Sequence, residues 1–363
     1  MSTPVPVFFY VPSPELVAGI PASCSRYWDW IHHAVATAPA PLGNGSGPCP
    51  WLGPYNWTVQ TFLQLRDVGF SCILTATLPD AGIVVTHGDF LPPTPALSRR
   101  RFIVEIKPDR PMQCAFANFL VVQNENDPVR RGLLRRVATS AAVPYWPQPG
   151  LIPRSEGRGR LFENVGFVGR SQNFLSDAGE LARQVADLGL TWTAAPVERW
   201  HDYSELDAVV AVRPAAPSVP SAVPFFSANR KPASKLVNAW LAGVPAILSA
   251  DDAFRQLRRS SLDYLEADTA AGIIAALRRL QDDSNLRQAM AENGRRRAAE
   301  FSPDRITRVW IDLLDDEVRP AFDAWSRSPV RRRWFQLTRR IVHAVRWRVQ
   351  RWRAARQLRV QPL

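Results

Sequence analysis

Cysteine is scarce in this sequence, and long apolar runs are missing. The four cysteines in 363 residues form no C-x-x-C pair and no cluster with histidine, which excludes the usual zinc and dithiol redox motifs. Isolated thiols of this kind are typical of a reducing compartment. No apolar run is long enough to cross a bilayer, and no basic-then-apolar leader is visible. We therefore expect a cytoplasmic protein, with peripheral attachment to the inner face of the membrane as the alternative.

Acidic residues are missing from one end of the chain. Between Trp325 and Leu363 there are twelve arginines, no lysine and no acidic residue. Without these arginines the chain has 33 basic and 33 acidic residues, so the pI of about 10.4 reflects this segment and not the whole protein. A neutral body argues against a chain that binds nucleic acid over its whole surface. The hydrophobic content of 46% is typical of globular domains, and the length suits two of them.

The arginine-rich segment also has a helical pattern that begins at Pro329. Its apolar residues follow one another at steps of three and four: Trp334, Leu337, Ile341, Val345, Val349 and Trp352. An arginine-rich helix with tryptophans and aliphatic residues on one stripe is typical of a helix that lies on an anionic membrane surface. The predicted membrane contacts are Arg333, Trp334, Arg340, Trp347 and Trp352. The alternatives are an apolar stripe that packs on the protein's own first domain and a nucleic-acid contact.

Elsewhere, short apolar runs alternate with helical patterns, which predicts parallel sheets in an α/β protein. One helix is expected to begin at Asn56 or Thr58, where a polar side chain caps it. Four prolines within residues 144–159 indicate a linker, so the chain divides into two similar halves. The predicted domains are residues 1–155, residues 156–302, a crossover helix at 303–324 and the arginine-rich tail at 325–363.

Residues 231–248, KPASKLVNAWLAGVPAIL, predict a loop, a helix and a buried strand. Pro232 is expected to start the helix, and Gly243 is expected to end it. Lys235 then lies in the first turn, where free backbone N–H groups and the helix dipole favour a phosphate. The alternative is an amphipathic helix whose lysine is simply solvated.

This stretch resembles the helix–strand element in the donor domain of nucleotide-sugar glycosyltransferases with two Rossmann-like domains (GT-B). Asn238 stands where many of these enzymes have a glutamate for the donor ribose, and Arg230 stands where the partner acidic residue is common. The K-L-x-N-A wording is closer to fucosyltransferase-like subfamilies, in which a lysine contacts the donor diphosphate. NVGFVGR at 164–170 is similar to the first strand and loop of the same domain. Its arginine is Arg170, whereas Leu175 replaces the family's lysine.

The resemblance implies a GT-B fold in which two Rossmann-like domains face each other across a cleft. Residues 156–302 would bind the donor, and residues 1–155 would bind the acceptor. Other cations at the ends of the donor-domain strands would stabilise the leaving diphosphate. The predicted donor-binding residues are Gly169, Arg170, Arg213, Lys231, Ser234, Lys235 and Asn238.

In the first half, the run GIVVTHGDF ends in two polar residues, His87 and Asp89. A histidine at a strand end suits a base or a hydrogen-bond partner of the sugar or acceptor. These two residues are the predicted catalytic pair, with Glu125 and Glu15 as weaker candidates. The alternative is an ordinary surface turn.

The predicted function is transfer of a hexose or fucose from a nucleotide sugar to a glycan or lipid-linked acceptor, as in polysaccharide biosynthesis. No cofactor is expected, and no metal site is expected, because the metal-holding D-x-D triplet of the other major glycosyltransferase architecture is absent. One alternative is a catalytically inactive scaffold with the same fold, which the departures at Asn238 and Leu175 would permit. Another is a protein that binds nucleic acid through its tail, for which salt-sensitive binding would be diagnostic.

Overall fold

The computed structural model describes residues 5–37, 52–92, 98, 100–107, 109, 116–130, 139–170, 174, 178–213 and 231–358. Side chains are described in these ranges except at residues 34–37, 52, 128, 178, 342–343, 345–347 and 349–358. The chain forms two parallel β-sheets, one in each half, with helices between the strands.

The first sheet has six parallel strands in the order β2-β1-β3-β4-β5-β6. The strands are β1 Val7–Tyr10, β2 Cys72–Thr75, β3 Ala81–His87, β4 Arg100–Ile106, β5 Phe119–Val122 and β6 Thr139–Ala142. β3 and β5 are buried almost throughout, which explains why their sequences are continuous apolar runs and not alternating ones. Because β2 and β3 lie on opposite sides of β1, the strand order reverses between β1 and β3.

The second sheet has five parallel strands in the order β11-β10-β9-β7-β8. The strands are β7 Asn164–Val168, β8 Thr191–Ala195, β9 Ala208–Ala211, β10 Ala246–Leu248 and β11 Leu265–Glu266. Here the order reverses between β7 and β9, so both sheets share one winding pattern. The predicted fold of two Rossmann-like domains is confirmed.

The helices of the first half are α1 Pro14–Ala18, α2 Tyr27–Thr37 and α3 Leu52–Asp67. Those of the second half are α4 Ala178–Ala186, α5 Ser234–Ala242, α6 Asp252–Leu257, α7 Ala270–Asp282 and α8 Ser284–Ala298. The C-terminal helices are α9 Pro303–Asp312, α10 Arg319–Arg327 and α11 Pro329–Leu358, and a π-helical stretch at Leu313–Val318 joins α9 to α10. Within the described residues, no helix combines the length and apolar character that crossing a membrane needs.

After α8 the chain returns to the first domain. Ser302 caps α9 by accepting a hydrogen bond from the backbone N–H of Arg305. In α10, the rings of Phe322 and Trp325 lie 6.0 and 5.7 Å from the ring of Phe102 in β4. These aromatic contacts hold α10 against the first domain and fix where α11 begins.

Two predicted helix starts were wrong. α3 begins at Leu52, so Asn56 and Thr58 lie inside the helix and are buried, and Asn56 accepts a hydrogen bond from the Tyr27 hydroxyl at 2.6 Å. α5 begins at Ser234 and not at Pro232, because the backbone of Ala233 is still outside the helix.

Strands β6 and β11 were not predicted. Both lie at an edge of their sheet, where a strand has only one neighbour. β6 is made of threonine, serine and alanine, and β11 has only two residues, so neither gives the apolar run that reveals a central strand.

Candidate active site

The point at which each sheet reverses its strand order is called here its switch point. In open α/β sheets, ligands bind in the crevice at the carboxyl ends of the strands beside such a point. The first switch point lies between β1 and β3, and His87 is the last residue of β3. The second lies between β7 and β9. Gly169 directly follows β7, and Arg213 lies two residues after the end of β9. His87, Gly169 and Arg213 come from different parts of the sequence, and they therefore lie at equivalent positions in the two sheets.

Lys235 lies at the second switch point, although it belongs to α5. Its Nζ donates a hydrogen bond to the carbonyl oxygen of Val168, the last residue of β7, and lies 4.5 Å from the centre of the Phe167 ring. Gly169 has a φ of 151°, and a Cβ at this position would collide with Lys235 Nζ. Glycine after β7 therefore leaves the space that the amine occupies.

The amine of Lys235 has a pKa well below that of an ordinary lysine. Burial, and to a smaller extent the positive charges of Arg213 and Lys231, together lower the pKa of Lys235 to about 7. Lys235 as a whole residue is intermediate between buried and exposed. An anion bound beside this amine would raise the pKa again.

The two arginines of this site differ in their surroundings. Arg213 forms an ion pair with Asp251, just before α6, and its guanidinium lies 5.2 Å from the centre of the Phe254 ring. Much of its charge is therefore already balanced by protein. Arg170 is partly exposed directly after Gly169. The described contacts of Lys235 are the Val168 carbonyl oxygen and the Phe167 ring, and they include no carboxylate.

Lys231 joins the two domains. Its Nζ lies 2.6 Å from a carboxylate oxygen of Asp109 in the first domain, and both side chains are more than one third exposed. On another side of the interface, the rings of Trp28 in α2 and His201 are 5.4 Å apart. These contacts hold the domains together at separate places around the cleft.

Asn238, the residue in place of the family's glutamate, is buried inside the interface. Its side-chain oxygen accepts a hydrogen bond from the backbone N–H of Gln148 at 3.0 Å, and its side chain also bonds to the Tyr203 hydroxyl. Asn238 thus ties α5 to the linker between the domains. Sequence reasoning missed this role, and a donor contact by Asn238 stays a prediction.

A cavity of about 110 Å³ lies between the domains. Glu125 and Tyr145 line it from one side, and Ser234 and Gln256 line it from the other. Glu125 also forms an ion pair with Arg130 at 2.9 Å. The cavity is smaller than the roughly 300 Å³ at which ligand pockets usually begin, so it can hold only part of a ligand.

His87 and Asp89 form a local hydrogen-bonded unit at the first switch point. The His87 Nδ1 accepts a hydrogen bond from the backbone N–H of Asp89 at 3.2 Å, and it lies 3.7 Å from an Asp89 carboxylate oxygen. Only 5% of His87 is exposed, and its ring packs near Phe90. Because Nδ1 accepts, the neutral ring carries its proton on Nε2. This arrangement suits a hydrogen-bond donor better than a general base.

A buried ion pair next to this site was missed from the sequence. Lys107 follows β4, and its Nζ lies 2.7 Å from a carboxylate oxygen of Asp127, with both side chains at most 3% exposed. The sequence features that could have revealed this pair are a lysine directly after an apolar strand and an aspartate at the end of VVQNEND. The other weak candidate, Glu15, is exposed in α1 and accepts a hydrogen bond from the Ser13 hydroxyl.

Of the predicted membrane contacts, Arg333, Trp334 and Arg340 are exposed on α11. The side chains of Trp347 and Trp352 lie outside the described residues, as do Leu175 and Arg230 entirely. The described part of the chain contains no group of three or more His, Cys, Asp or Glu side chains arranged to hold a metal ion.

Comparisons with known proteins give a likeness in fold only. No family model matches the sequence, and no curated protein matches it. Among solved structures, sucrose-phosphate synthase from Thermosynechococcus elongatus has 12% identity and a TM-score of 0.49, over 87% of this chain and 100% of that one. HepE from Anabaena, solved with UDP-glucose, has 12% identity and a TM-score of 0.49, over 86% and 100%. A TarM variant from S. aureus has 11% identity and a TM-score of 0.44, over 70% and 59%.

Proposed function

We propose that the protein is a glycosyltransferase that moves a sugar from a nucleotide-sugar donor to a glycan or lipid-linked acceptor without a metal ion. The observation that carries the proposal is the cation site at the second switch point, formed by Lys235, Arg170 and Arg213. A nucleoside diphosphate gains negative charge as the sugar leaves, and fixed cations stabilise that charge.

In this proposal Lys235 binds the donor diphosphate. Its amine has no carboxylate among its described contacts, and it lies in the first turn of α5, where backbone N–H groups and the helix dipole also favour an anion. Arg170 approaches the same anion from the end of β7. Arg213 contributes less, because Asp251 already balances it. Gly169 lets the phosphates come close to the strand end, and Ser234 and Lys231 lie at the adjoining start of α5.

His87 and Asp89 act from the other side of the cleft. With its proton on Nε2, His87 donates a hydrogen bond to the sugar or to the acceptor. Asp89 holds the ring in this tautomer through its backbone N–H, which donates to Nδ1, and its carboxylate lies close to the ring. The acceptor lies over the carboxyl ends of the first sheet, as the fold's general rule for ligand placement suggests.

The test begins with a thermal-shift screen of nucleoside diphosphates and nucleotide sugars, followed by calorimetry with the best ligand. Lys235→Gln should weaken nucleoside diphosphate binding by roughly tenfold to a hundredfold, the usual range for one lost charge-assisted hydrogen bond. Arg183→Gln is the matched control, because it removes one positive charge from the exposed surface of α4 in the same domain. Equal affinities in the parent and Lys235→Gln would remove Lys235 from the donor site.

An inactive scaffold is the second candidate. Asn238, where the family's ribose-binding glutamate is expected, is already used to anchor the linker. A scaffold would bind nucleoside diphosphates and depend on Lys235, but it would release no sugar from any nucleotide sugar. Measuring nucleoside diphosphate release, with and without glycan acceptors, separates it from the enzyme.

A further inference from the structure

Helix α11 is attached to the body of the protein at its start. Ser328 accepts a hydrogen bond from the backbone N–H of Arg331 at 3.2 Å. The Arg332 guanidinium bonds to the carbonyl oxygen of Ser326 and lies 6.0 Å from the centre of the Trp325 ring. Trp325 in turn packs on Phe102 of the first domain. The first turns of α11 therefore have a fixed orientation relative to the body.

A helix of a globular protein usually turns its apolar side chains toward the body and its charged ones toward solvent, and the described part of α11 does the reverse. Among the described side chains of α11, Arg339 is the buried one, with 6% exposed, and its guanidinium lies 4.9 Å from the centre of the Phe335 ring. Large apolar side chains point away from the body instead, with exposed fractions of 76% for Val330, 66% for Trp334, 53% for Leu337 and 55% for Ile341. These four residues, spaced by four, three and four, form one stripe along the helix, called here the outer stripe.

The outer stripe stands out against the rest of the surface. Of the eight large apolar side chains that are exposed in the described part of the chain, four belong to it, and the others are scattered: Val68, Ile73, Ile152 and Leu161. A contiguous exposed apolar surface marks an interaction site, whereas single exposed residues are common. For Trp334, Leu337 and Ile341, which belong to the predicted stripe, the alternative in which the stripe packs on the protein's own first domain is wrong.

The charges around the outer stripe identify its partner. Arg331, Arg333 and Arg340 are exposed on its flanks, and the segment from Trp325 onward has twelve arginines and no acidic residue. Its partner must therefore be apolar at the centre and anionic at the margins. A bilayer with anionic headgroups meets both requirements, since tryptophan and aliphatic side chains enter at headgroup depth while arginines contact phosphates. A nucleic acid meets only the second.

We propose that α11 binds an anionic membrane surface through the outer stripe, with the flanking arginines on lipid phosphates. Because the start of α11 is fixed to α10 and the first domain, the membrane contact also orients the body. The proposal is independent of the donor site, since it uses no residue of either switch point.

The experiment is sedimentation of the full chain with phosphatidylcholine vesicles that contain or lack phosphatidylserine. The parent should bind the anionic vesicles and ignore the neutral ones. Leu337→Asp with Ile341→Asp should lower the affinity by roughly tenfold or more, because two charges then lie at the apolar depth. Val68→Asp with Leu161→Asp is the matched control, with the same charge change at similarly exposed apolar sites, and it should bind like the parent.

A third variant separates the two parts of the interaction. Replacing Arg331, Arg333 and Arg340 with glutamine should weaken binding and reduce its dependence on salt. The proposal is overturned if the parent does not sediment with anionic vesicles at low salt. It is equally overturned if the Leu337→Asp and Ile341→Asp variant binds like the parent, which would indicate a purely electrostatic contact such as one with nucleic acid. Circular dichroism and thermal unfolding show whether each variant is folded.

Discussion

The two sheets have the same winding pattern, yet their switch points carry different chemistry. At the first, the groups are His87 and Asp89, which are mostly buried and hydrogen-bonded to each other. At the second, the groups are cations, and burial together with neighbouring positive charge lowers the pKa of Lys235 to about 7. The fold provides two equivalent crevices, and the residues make one suited to a hydrogen bond with a neutral group and the other suited to an anion.

The strand order shows where a ligand can bind, and the charge of the side chains there shows which kind of ligand the crevice suits. Strand order alone marks both crevices equally. Only the side chains distinguish a crevice suited to an anion from one suited to a neutral group. The comparison predicts that substitutions at the two switch points affect different steps. Four predictions follow from it, from the largest expected effect to the smallest.

The largest effect is expected at the first switch point. His87→Gln and Asp89→Asn should each lower turnover roughly a hundredfold, because a positioned proton donor is lost or misoriented. The affinity for the nucleoside diphosphate should stay within about twofold of the parent, since neither residue contacts the phosphates. Steady-state kinetics and calorimetry give the two quantities. If both variants turn over normally, the reacting group lies elsewhere, and Glu125 and Glu15 are the next residues to replace.

A second effect concerns pH. Nucleoside diphosphate affinity should fall as the pH rises through about 7, because Lys235 loses its proton in the free protein and must regain it to bind an anion. Calorimetry in two buffers of different ionisation enthalpy should then detect proton uptake on binding above that pH. Lys235→Arg should keep most of the affinity and lose the proton uptake. Uptake that persists in Lys235→Arg would assign the titration to another group.

The same pKa predicts the pH dependence of folding. The folded pKa of Lys235 lies below its ordinary value of 10.5, so the unfolded chain binds more protons between about pH 7 and pH 10.5. The contribution of Lys235 to stability therefore rises with pH across this window, and it has its most unfavourable value at lower pH. Lys235→Met should remove that rise, which urea unfolding at several pH values measures.

The smallest effect is expected between the two sites. Asp109→Asn removes the ion pair with Lys231, and both partners are more than one third exposed. The free energy of unfolding should therefore fall by less than about 1 kcal/mol, and less still at high salt. Urea unfolding of the parent and variant at two salt concentrations checks this. A loss well above that limit would show that the contact is a main fastening between the domains.

Much of the fold was predictable because it depends on local patterns. α11 begins at Pro329 as predicted, since proline and apolar periodicity specify it. The edge strands β6 and β11 were missed because their short polar or small sequences depend on pairing with distant strands for their structure.

The candidate site was predictable only as a list of residue types. Neither the sequence position of Lys235 nor its pattern shows that its amine reaches the end of β7, or that Asp251 neutralises Arg213. These contacts join parts of the chain that only the tertiary fold brings together. For α11, the pattern predicted the apolar stripe, but which side faces the body depends on how Arg332 and Trp325 pack.

The position at which α11 leaves the body determines the distance between the start of this helix and the cleft. A groove beside the junction of α10 and α11 is lined by Pro6, Gly82 and Arg100, which lie at the starts of β1, β3 and β4. The cleft is at the opposite ends of these strands, and β4 with its seven residues is about 23 Å long. Under the proposed membrane contact, a bilayer held at the start of α11 would be separated from the cleft by roughly the depth of one domain. A lipid-linked acceptor, if the protein uses one, would then need a chain of several sugars between the headgroup and the cleft.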